Sequence, residues 1–262
     1  GLSVSSLFMA GIVPAVVLVV VLCLMVWILT RKRDDLRMEK PPMGKRVRDV
    51  AKALPVAGAA VIILGGILSG IVTPTEASAL GVAYVAILAI CYRNLTFKNL
   101  GRVAASTVET TGSVLVIVTS AALFGWVLAR EQAPQVLTEV ILQITDRPLV
   151  FLILVNILLL VVGAILEPTA AILIMVPVLA PIADIFGIDG THFAVMVIFN
   201  LMIGLLTPPV GLVLFVLSSV TQIPVTRVIR GVLPFFVPML LVLLLITFFP
   251  TLSTWLPSAV GP

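Results

Sequence analysis

Six long apolar segments restrict the fold of this chain more than any other feature. They fall at about residues 7–30, 54–92, 103–129, 149–183, 192–223 and 231–257. A helix of about 20 apolar residues can cross the hydrocarbon core of a bilayer, and each segment reaches that length. The sequence therefore predicts an all-α, polytopic membrane protein that has the lipid bilayer as its solvent.

The composition excludes a soluble domain. Hydrophobic residues make up 61% of the 262 positions and charged residues only 11%, whereas a soluble domain has about a quarter. The net charge of +4 does not indicate a nucleic-acid partner, because nine of the sixteen basic residues lie between Arg31 and Lys52. Cys23 and Cys91 lack the spacing of metal ligands, and His192, predicted in an external loop, has no Cys or His partner. We therefore expect no metal site built from these residue types.

The distribution of basic residues predicts the orientation in the membrane. Basic residues are concentrated in 31–53 and 93–102 and directly before the last segment, but not in 130–148 or 184–191. By the positive-inside rule the first three stretches are cytoplasmic and the last two external, so the C-terminus is external. The stretch 31–53 fits either an amphipathic connection along the headgroups or a solvated loop.

Three of the segments carry helix-breaking residues near their middle. Segments 54–92 and 149–183 each return to the side where they began, as a hairpin of two short spans or a re-entrant loop. Segment 192–223 is a broken span. A broken helix leaves backbone groups unpaired, which is tolerated only inside protein or beside a water-filled cavity. Such interruptions indicate a binding site in a membrane protein.

Two segments of opposite direction resemble each other. Gly11-Ile12-Val13-Pro14 opens the first aliphatic run and Gly231-Val232-Leu233-Pro234 the last. This pattern predicts an inverted-topology repeat, whose first half would need its own hairpin and broken helix before residue 1. We therefore expect an N-terminally truncated architecture. Its predicted regions are a helix that closes the first repeat (1–31), a basic connector (32–53), a hairpin-like segment with a helix and external linker (54–148), and a second-repeat transport region (149–262; hairpin 149–183, broken helix 192–223, last helix 231–257).

The strongest local signal is a polar break in the fourth segment, at Glu167, Pro168, Thr169 and Ala170. A carboxylate deep in an apolar run is costly unless it is paired or hydrated. Pro168 ends the preceding helix and frees backbone carbonyls. Carbonyl and hydroxyl oxygens are hard ligands that suit an alkali cation, whereas helix N-termini favour an anion. The alternative is a plain hairpin turn capped by Thr169.

The second signal is the run from Gly204 to Gly211, which contains Thr207, Pro208 and Pro209. Tandem prolines cannot continue a helix, and the flanking glycines allow the backbone to unwind. Asn200, one turn upstream, could satisfy freed backbone groups. The alternative is a kink that serves packing only.

A secondary candidate is the polar stretch Gly70, Thr73, Pro74, Thr75 and Glu76 in the first hairpin.

Two other classes of function stay open. An intramembrane enzyme would use Glu76 or Glu167 as an acid or base but lacks a second catalytic group, and a structural scaffold would use the prolines as kinks.

These motifs resemble a known family, the large membrane subunit of tripartite ATP-independent periplasmic (TRAP) transporters. The resemblance covers the whole chain and rests on four motifs in order: Leu7–Pro14, Gly70–Ala77, Glu167–Ile174 and Asn200–Gly211. It implies a bacterial inner-membrane protein with inverted repeats and an elevator-type transport domain. It also implies sodium as the coupling ion without another cofactor, a small membrane partner subunit, and a periplasmic binding protein that delivers an organic acid.

The resemblance also assigns residues. It implies that Glu167 to Ala171 form the tip of the second hairpin and that Gly204 to Pro209 form its unwound partner, with sodium between them. The resulting hypothesis is a sodium-coupled transporter subunit rather than an enzyme.

Overall fold

The computed structural model describes residues 2–32, 42–93 and 96–260, and all regular structure in these ranges is helical. Residues 33–41 of the predicted basic connector lie outside the described residues. The helices are α1 (Val4–Thr30), α2 (Met43–Leu68), α3 (Pro74–Cys91), α4 (Phe97–Arg130), α5 (Ala133–Ile144), α6 (Pro148–Gly163), α7 (Pro168–Ile185), α8 (Gly190–Gly204), α9 (Leu212–Thr221), α10 (Val225–Phe248) and α11 (Thr251–Val260).

The all-α membrane fold is confirmed. Within the described ranges, six helices are long and apolar enough to cross a membrane, or seven if the bent pair α5–α6 counts as one span. The two segments proposed as repeat partners become α1 and α10, and each carries its proline, Pro14 or Pro234, inside the helix. The repeat itself stays a prediction.

The chain divides into two compact units. The hairpin unit contains residues 3–8 and 29–113, and its centre is the antiparallel pair α2 and α3. Gly70, with φ +70°, takes the left-handed conformation in the turn between them. The Tyr84 hydroxyl donates a 2.8 Å hydrogen bond to the Pro55 carbonyl and crosses α2 at Gly58, where a Cβ would lie 2.5 Å from that hydroxyl.

The core unit contains residues 9–28 and the chain from 114 onward, and α8 lies at its centre. Helix α8 contacts α6, α7, α10 and α11. The core is built mainly from apolar side chains of α6, α7, α8 and α10, among them Phe151, Leu159, Leu179, Ile182, Met196, Leu201, Val242 and Ile246. The Phe151 ring also stacks on Phe186 with 4.8 Å between centroids.

Helices α6 and α8 are too short to cross a bilayer alone. They have 16 and 15 residues, or lengths of ~24 and ~22 Å against a hydrocarbon core of about 30 Å. The last residues of the two helices, Gly163 and Gly204, are buried, whereas Leu166, Glu167 and Pro208 in the breaks that follow them are exposed in this chain. The fold thus buries the two helix ends themselves and leaves the irregular backbone beyond them at the surface of the core unit.

Several details differ from the sequence-based expectation. The predicted external linker contains α5. The chain bends by 116° between α5 and α6. The last segment is divided into α10 and α11, and α2 already begins at Met43 within the basic stretch. The placement of His192 in a loop was wrong: it lies in the first turn of α8 and is 1% exposed.

Candidate functional site

The tip of the second hairpin is a short break between α6 and α7. Glu167 is the N-cap of α7: its carboxylate accepts hydrogen bonds from the Ala170 amide at 3.1 Å and from the Thr169 hydroxyl at 2.8 Å. The cap is therefore Glu167, not Thr169. Pro168 follows as the first helical residue, where its missing N–H costs nothing. The carboxylate thus neutralises the positive end of α7.

Carbonyl oxygens line the chain just before this cap. Within the described residues, no hydrogen bond reaches the carbonyls of Gly163 to Leu166, whereas the Glu167 carbonyl accepts from the Ala171 amide at 2.9 Å. The amides of Ile165 and Leu166 both donate to Val162 instead. Pro168 cannot donate to Ala164 at all. The break therefore presents a run of carbonyl oxygens with unused lone pairs.

The second break lies between α8 and α9 and has the same character. The Thr207 amide donates to Gly204 at 2.8 Å and the Thr207 hydroxyl to Ile203 at 2.9 Å, which closes the end of α8. The Pro208–Pro209 peptide is cis, and Gly211, with φ +53°, precedes α9. In the part of the chain that the structure describes, no hydrogen bond reaches the carbonyls of residues 206–210.

The two breaks start side by side because glycine occupies both helix ends. A Cβ atom on Gly204 would lie 2.6 Å from the carbonyl carbon and 2.9 Å from the carbonyl oxygen of Gly163. The C-terminal ends of α6 and α8 therefore meet, and each carries about half a negative charge from its helix dipole. The two helix ends together give a locally negative environment, with free carbonyl oxygens in the chain beyond each of them.

The sequence interpretation missed a polar cluster inside the core unit. The Asn200 amide group donates to Asn156 Oδ1 at 2.7 Å and to the Asn156 carbonyl at 3.0 Å. The Asn156 amide group donates to the Thr247 hydroxyl at 2.9 Å. Asn200 therefore joins α8 to α6 and does not serve the break at Gly204. The available signal was a single asparagine, Asn156, within the otherwise apolar sequence of α6.

The secondary candidates belong to the hairpin unit, where they form a helix start. Thr73 and Glu76 make a reciprocal capping box: the Thr73 amide and hydroxyl each donate to Glu76 at 2.8 Å, and the Glu76 amide donates to the Thr73 hydroxyl at 3.3 Å. Pro74 is the first residue of α3, and Gly70 supplies the preceding turn. Thr75 is exposed and the structure gives it no further role. These contacts explain the motif as a local cap.

The described residues contain no group of three or more His, Cys, Asp or Glu side chains that could hold a metal ion. The donors at the breaks are instead backbone carbonyls and hydroxyls. The geometry thus defines a multi-pass membrane protein with two broken helices whose C-terminal ends meet at a buried contact between Gly163 and Gly204. This is an architecture typical of ion-coupled transporters.

The chain belongs to the family described as tripartite ATP-independent periplasmic transporter, DctM component, whose model matches residues 1–252. The sialic acid TRAP transporter large permease protein SiaM of Vibrio cholerae is 41% identical over 98% of this chain and 60% of that protein. The C4-dicarboxylate permease DctM of Rhodobacter capsulatus is 38% identical over 99% of this chain and 59% of its own length. The 2,3-diketo-L-gulonate permease YiaN of Escherichia coli is 34% identical over 96% and 60%.

This chain spans about 60% of the length of these relatives. All three are named as permease proteins of transporters, which decides against the hypothesis of an intramembrane enzyme using Glu76 or Glu167. The suspected TRAP permease family is confirmed.

Proposed function

We propose that this chain is part of a sodium-driven secondary transporter subunit that imports a small organic acid across a bacterial inner membrane. The observation that carries the proposal is the meeting of the α6 and α8 carbonyl ends at Gly163 and Gly204. Family membership supports the transporter class. The three relatives cited are named for sialic acid, a C4-dicarboxylate and 2,3-diketo-L-gulonate, which supports an organic acid as the substrate class.

Sodium would bind between the hairpin tip (Glu167 to Ala170) and the unwound stretch from Gly204 to Pro209. Carbonyl oxygens and the hydroxyls of Thr169 and Thr207 are hard ligands of the kind an alkali cation prefers. Pro168, Pro208 and Pro209 keep the backbone from closing into helix and so keep these oxygens free. A bound cation would link the two breaks and order the hairpin tip, which favours capture of the acid nearby.

The proposal includes two protein partners, a small membrane subunit and a periplasmic binding protein that delivers the acid. It also includes an orientation, with the basic stretch 31–53 in the cytoplasm and the C-terminus in the periplasm. The family description, which names a tripartite periplasmic transporter, supports the two partners. The charge distribution supports the orientation.

The test is sodium-dependent uptake by the complete transporter in proteoliposomes, with Thr169→Ala and Thr207→Ala compared with the parent. We expect each variant to raise the half-saturating sodium concentration. Thr119→Ala on α4 is the matched control for Thr207→Ala, because the Thr119 hydroxyl likewise donates to the carbonyl four residues before it, that of Leu115, at 2.8 Å. Unchanged sodium dependence in both variants would contradict the site and favour a scaffold role.

A further inference from the structure

Three buried polar residues join three helices of the core unit, α6, α8 and α10. Asn156 on α6 is 5% exposed, and Asn200 on α8 and Thr247 on α10 are fully buried. Their surroundings are apolar, with Leu159, Leu201 and Ile246 all buried nearby on the same helices. Polar groups at membrane depth are costly and usually serve a function.

The hydrogen bonds run in one direction through the three residues. Asn200 donates to Asn156, Asn156 donates to Thr247, and the Thr247 hydroxyl donates to the Leu243 carbonyl at 2.8 Å. The Asn156 amide group also donates to the Met196 sulfur on α8 at 3.5 Å. The groups of Asn156 that face Asn200 are both acceptors, so the Asn200 side chain must present its NH₂ there. Among the described residues this leaves Asn200 Oδ1 buried without a partner. The hydrogen bonds between Asn200 and Asn156 therefore form although this oxygen of Asn200 has no donor.

Hydrogen bonds define the relative height of α6 and α8 more sharply than apolar contacts do. In lipid the hydrophobic force between helices is absent, and association depends on van der Waals packing and on hydrogen bonds between helices. A single buried asparagine pair, in contrast, bonds at one height only, as in coiled coils where one asparagine sets the register. Asn200 lies one turn before Gly204, and Asn156 lies two turns before Gly163. A vertical shift of α6 along α8 would therefore separate the two glycines.

We propose that Asn156, Asn200 and Thr247 are positioning residues that fix the register of α6 against α8, so that the two carbonyl ends meet at the cation site. We call these three residues the amide relay. This inference rests on the proposed function for the identity of the cation. The register itself is a property of the fold and can be measured without sodium.

Thr247→Val tests the relay with little change in shape. It removes the oxygen acceptor of Asn156 and leaves only the weak sulfur acceptor of Met196 at 3.5 Å, whereas Thr247→Ser keeps the oxygen. Thr138→Val is the matched control: Thr138 is also buried, and its hydroxyl bonds only its own helix, to Pro134 at 2.7 Å. In the complete transporter we expect Thr247→Val to raise the half-saturating sodium concentration about threefold to tenfold, the range of one membrane hydrogen bond. Thr247→Ser and Thr138→Val should keep the parental value, and a parental value for Thr247→Val would overturn the proposal.

The double variant Asn156→Leu/Asn200→Leu separates positioning from stability. Replacing both partners by apolar groups can restore stability, because no buried polar group of the pair is left unpaired. We expect a parental melting temperature but weakened sodium dependence. A double variant with parental sodium dependence would show that the relay serves stability alone.

Distances between spin labels on the two helix ends measure the register of α6 against α8 directly. We would place them at Ile165→Cys and Met202→Cys, which are exposed next to the two glycines, with Cys23 and Cys91 replaced by serine. The distance distribution should be narrow in the parent and broader in Thr247→Val and in the double variant. Equal distributions overturn the relay. Sodium-independent uptake by the parent would contradict the proposed function, and the label distances would still decide on the register.

Discussion

Gly163 and Gly204 lie in backbone contact, and the contact is asymmetric. A Cβ on Gly204 would overlap the Gly163 backbone at 2.6 to 2.9 Å, whereas a Cβ on Gly163 would meet a Leu201 methyl group at 3.1 Å and Gly204 Cα at 3.3 Å. A methyl group of leucine can move aside, but the backbone of a packed helix end cannot do so cheaply. The two positions therefore differ in their tolerance of a side chain, although both are helix-terminal glycines.

Gly204→Ala is expected to destabilise the core unit. The added methyl group would push α6 and α8 apart and cost about 1–3 kcal/mol, the usual range for overpacking. Thermal unfolding in detergent measures the loss, and sodium-dependent uptake should fall as well. Gly163→Ala should be milder.

Gly231→Ala is the control for that series, because a Cβ there meets no atom within 4 Å. It lies in α10 and should be neutral, or slightly stabilising through the better helix propensity of alanine. Equal melting temperatures for Gly204→Ala and Gly231→Ala would mean that the helix ends are not in contact.

Glu167→Gln should weaken the cap of α7. Each carboxylate oxygen accepts one hydrogen bond, and glutamine keeps only one acceptor oxygen and no charge at the positive helix end. We expect a loss of about 1 kcal/mol in the free energy of unfolding, together with a higher half-saturating sodium concentration for uptake. Glu139→Gln, at an exposed position on α5, controls for the lost charge. A Glu167→Gln variant that matches this control in both measurements would contradict the assigned role.

The capping box of α3 should affect stability but not sodium dependence. Thr73→Ala and Glu76→Ala each remove half of a reciprocal cap, at an expected cost of about 1 kcal/mol. Because each residue needs the other, the double variant should cost less than the sum of the single variants. Melting temperatures of the four proteins measure this coupling. A shifted sodium half-saturation in Glu76→Ala would argue for a functional role instead of the cap.

The sequence was sufficient to predict the helical membrane fold and the positions of the breaks. Both depend on local properties, namely the length of apolar runs and the inability of Pro168, Pro208 and Pro209 to continue a helix. The structure accordingly ends α6 at Gly163 and α8 at Gly204, within a few residues of the predicted breaks.

Contacts between distant segments could not be predicted in the same way. Nothing in the local sequence states that Asn156 and Asn200, 44 positions apart, share a hydrogen bond, or that Gly163 faces Gly204. The burial of His192 was missed for a related reason: a histidine after Asp189 and Gly190 is typical of a loop, but Asp189 caps α8 and starts the helix there. A single polar residue in an apolar helix indicates that a hydrogen-bond partner is needed, but it does not indicate which residue that partner is.

Cysteine labelling can test the orientation, which rests on the bias of basic residues alone. In a cysteine-free background, Arg48→Cys and Gln222→Cys should resist a membrane-impermeant maleimide applied to intact cells. Asp146→Cys and Ser258→Cys should react, because the segments before them run outward. All four positions are exposed in the structure, so burial in the fold does not explain a lack of labelling. If Gln222→Cys reacted in intact cells and Ser258→Cys did not, the core unit would have the opposite orientation in the membrane. The carbonyl ends of α6 and α8 would then point towards the periplasm instead of the cytoplasm, which would contradict the proposed orientation.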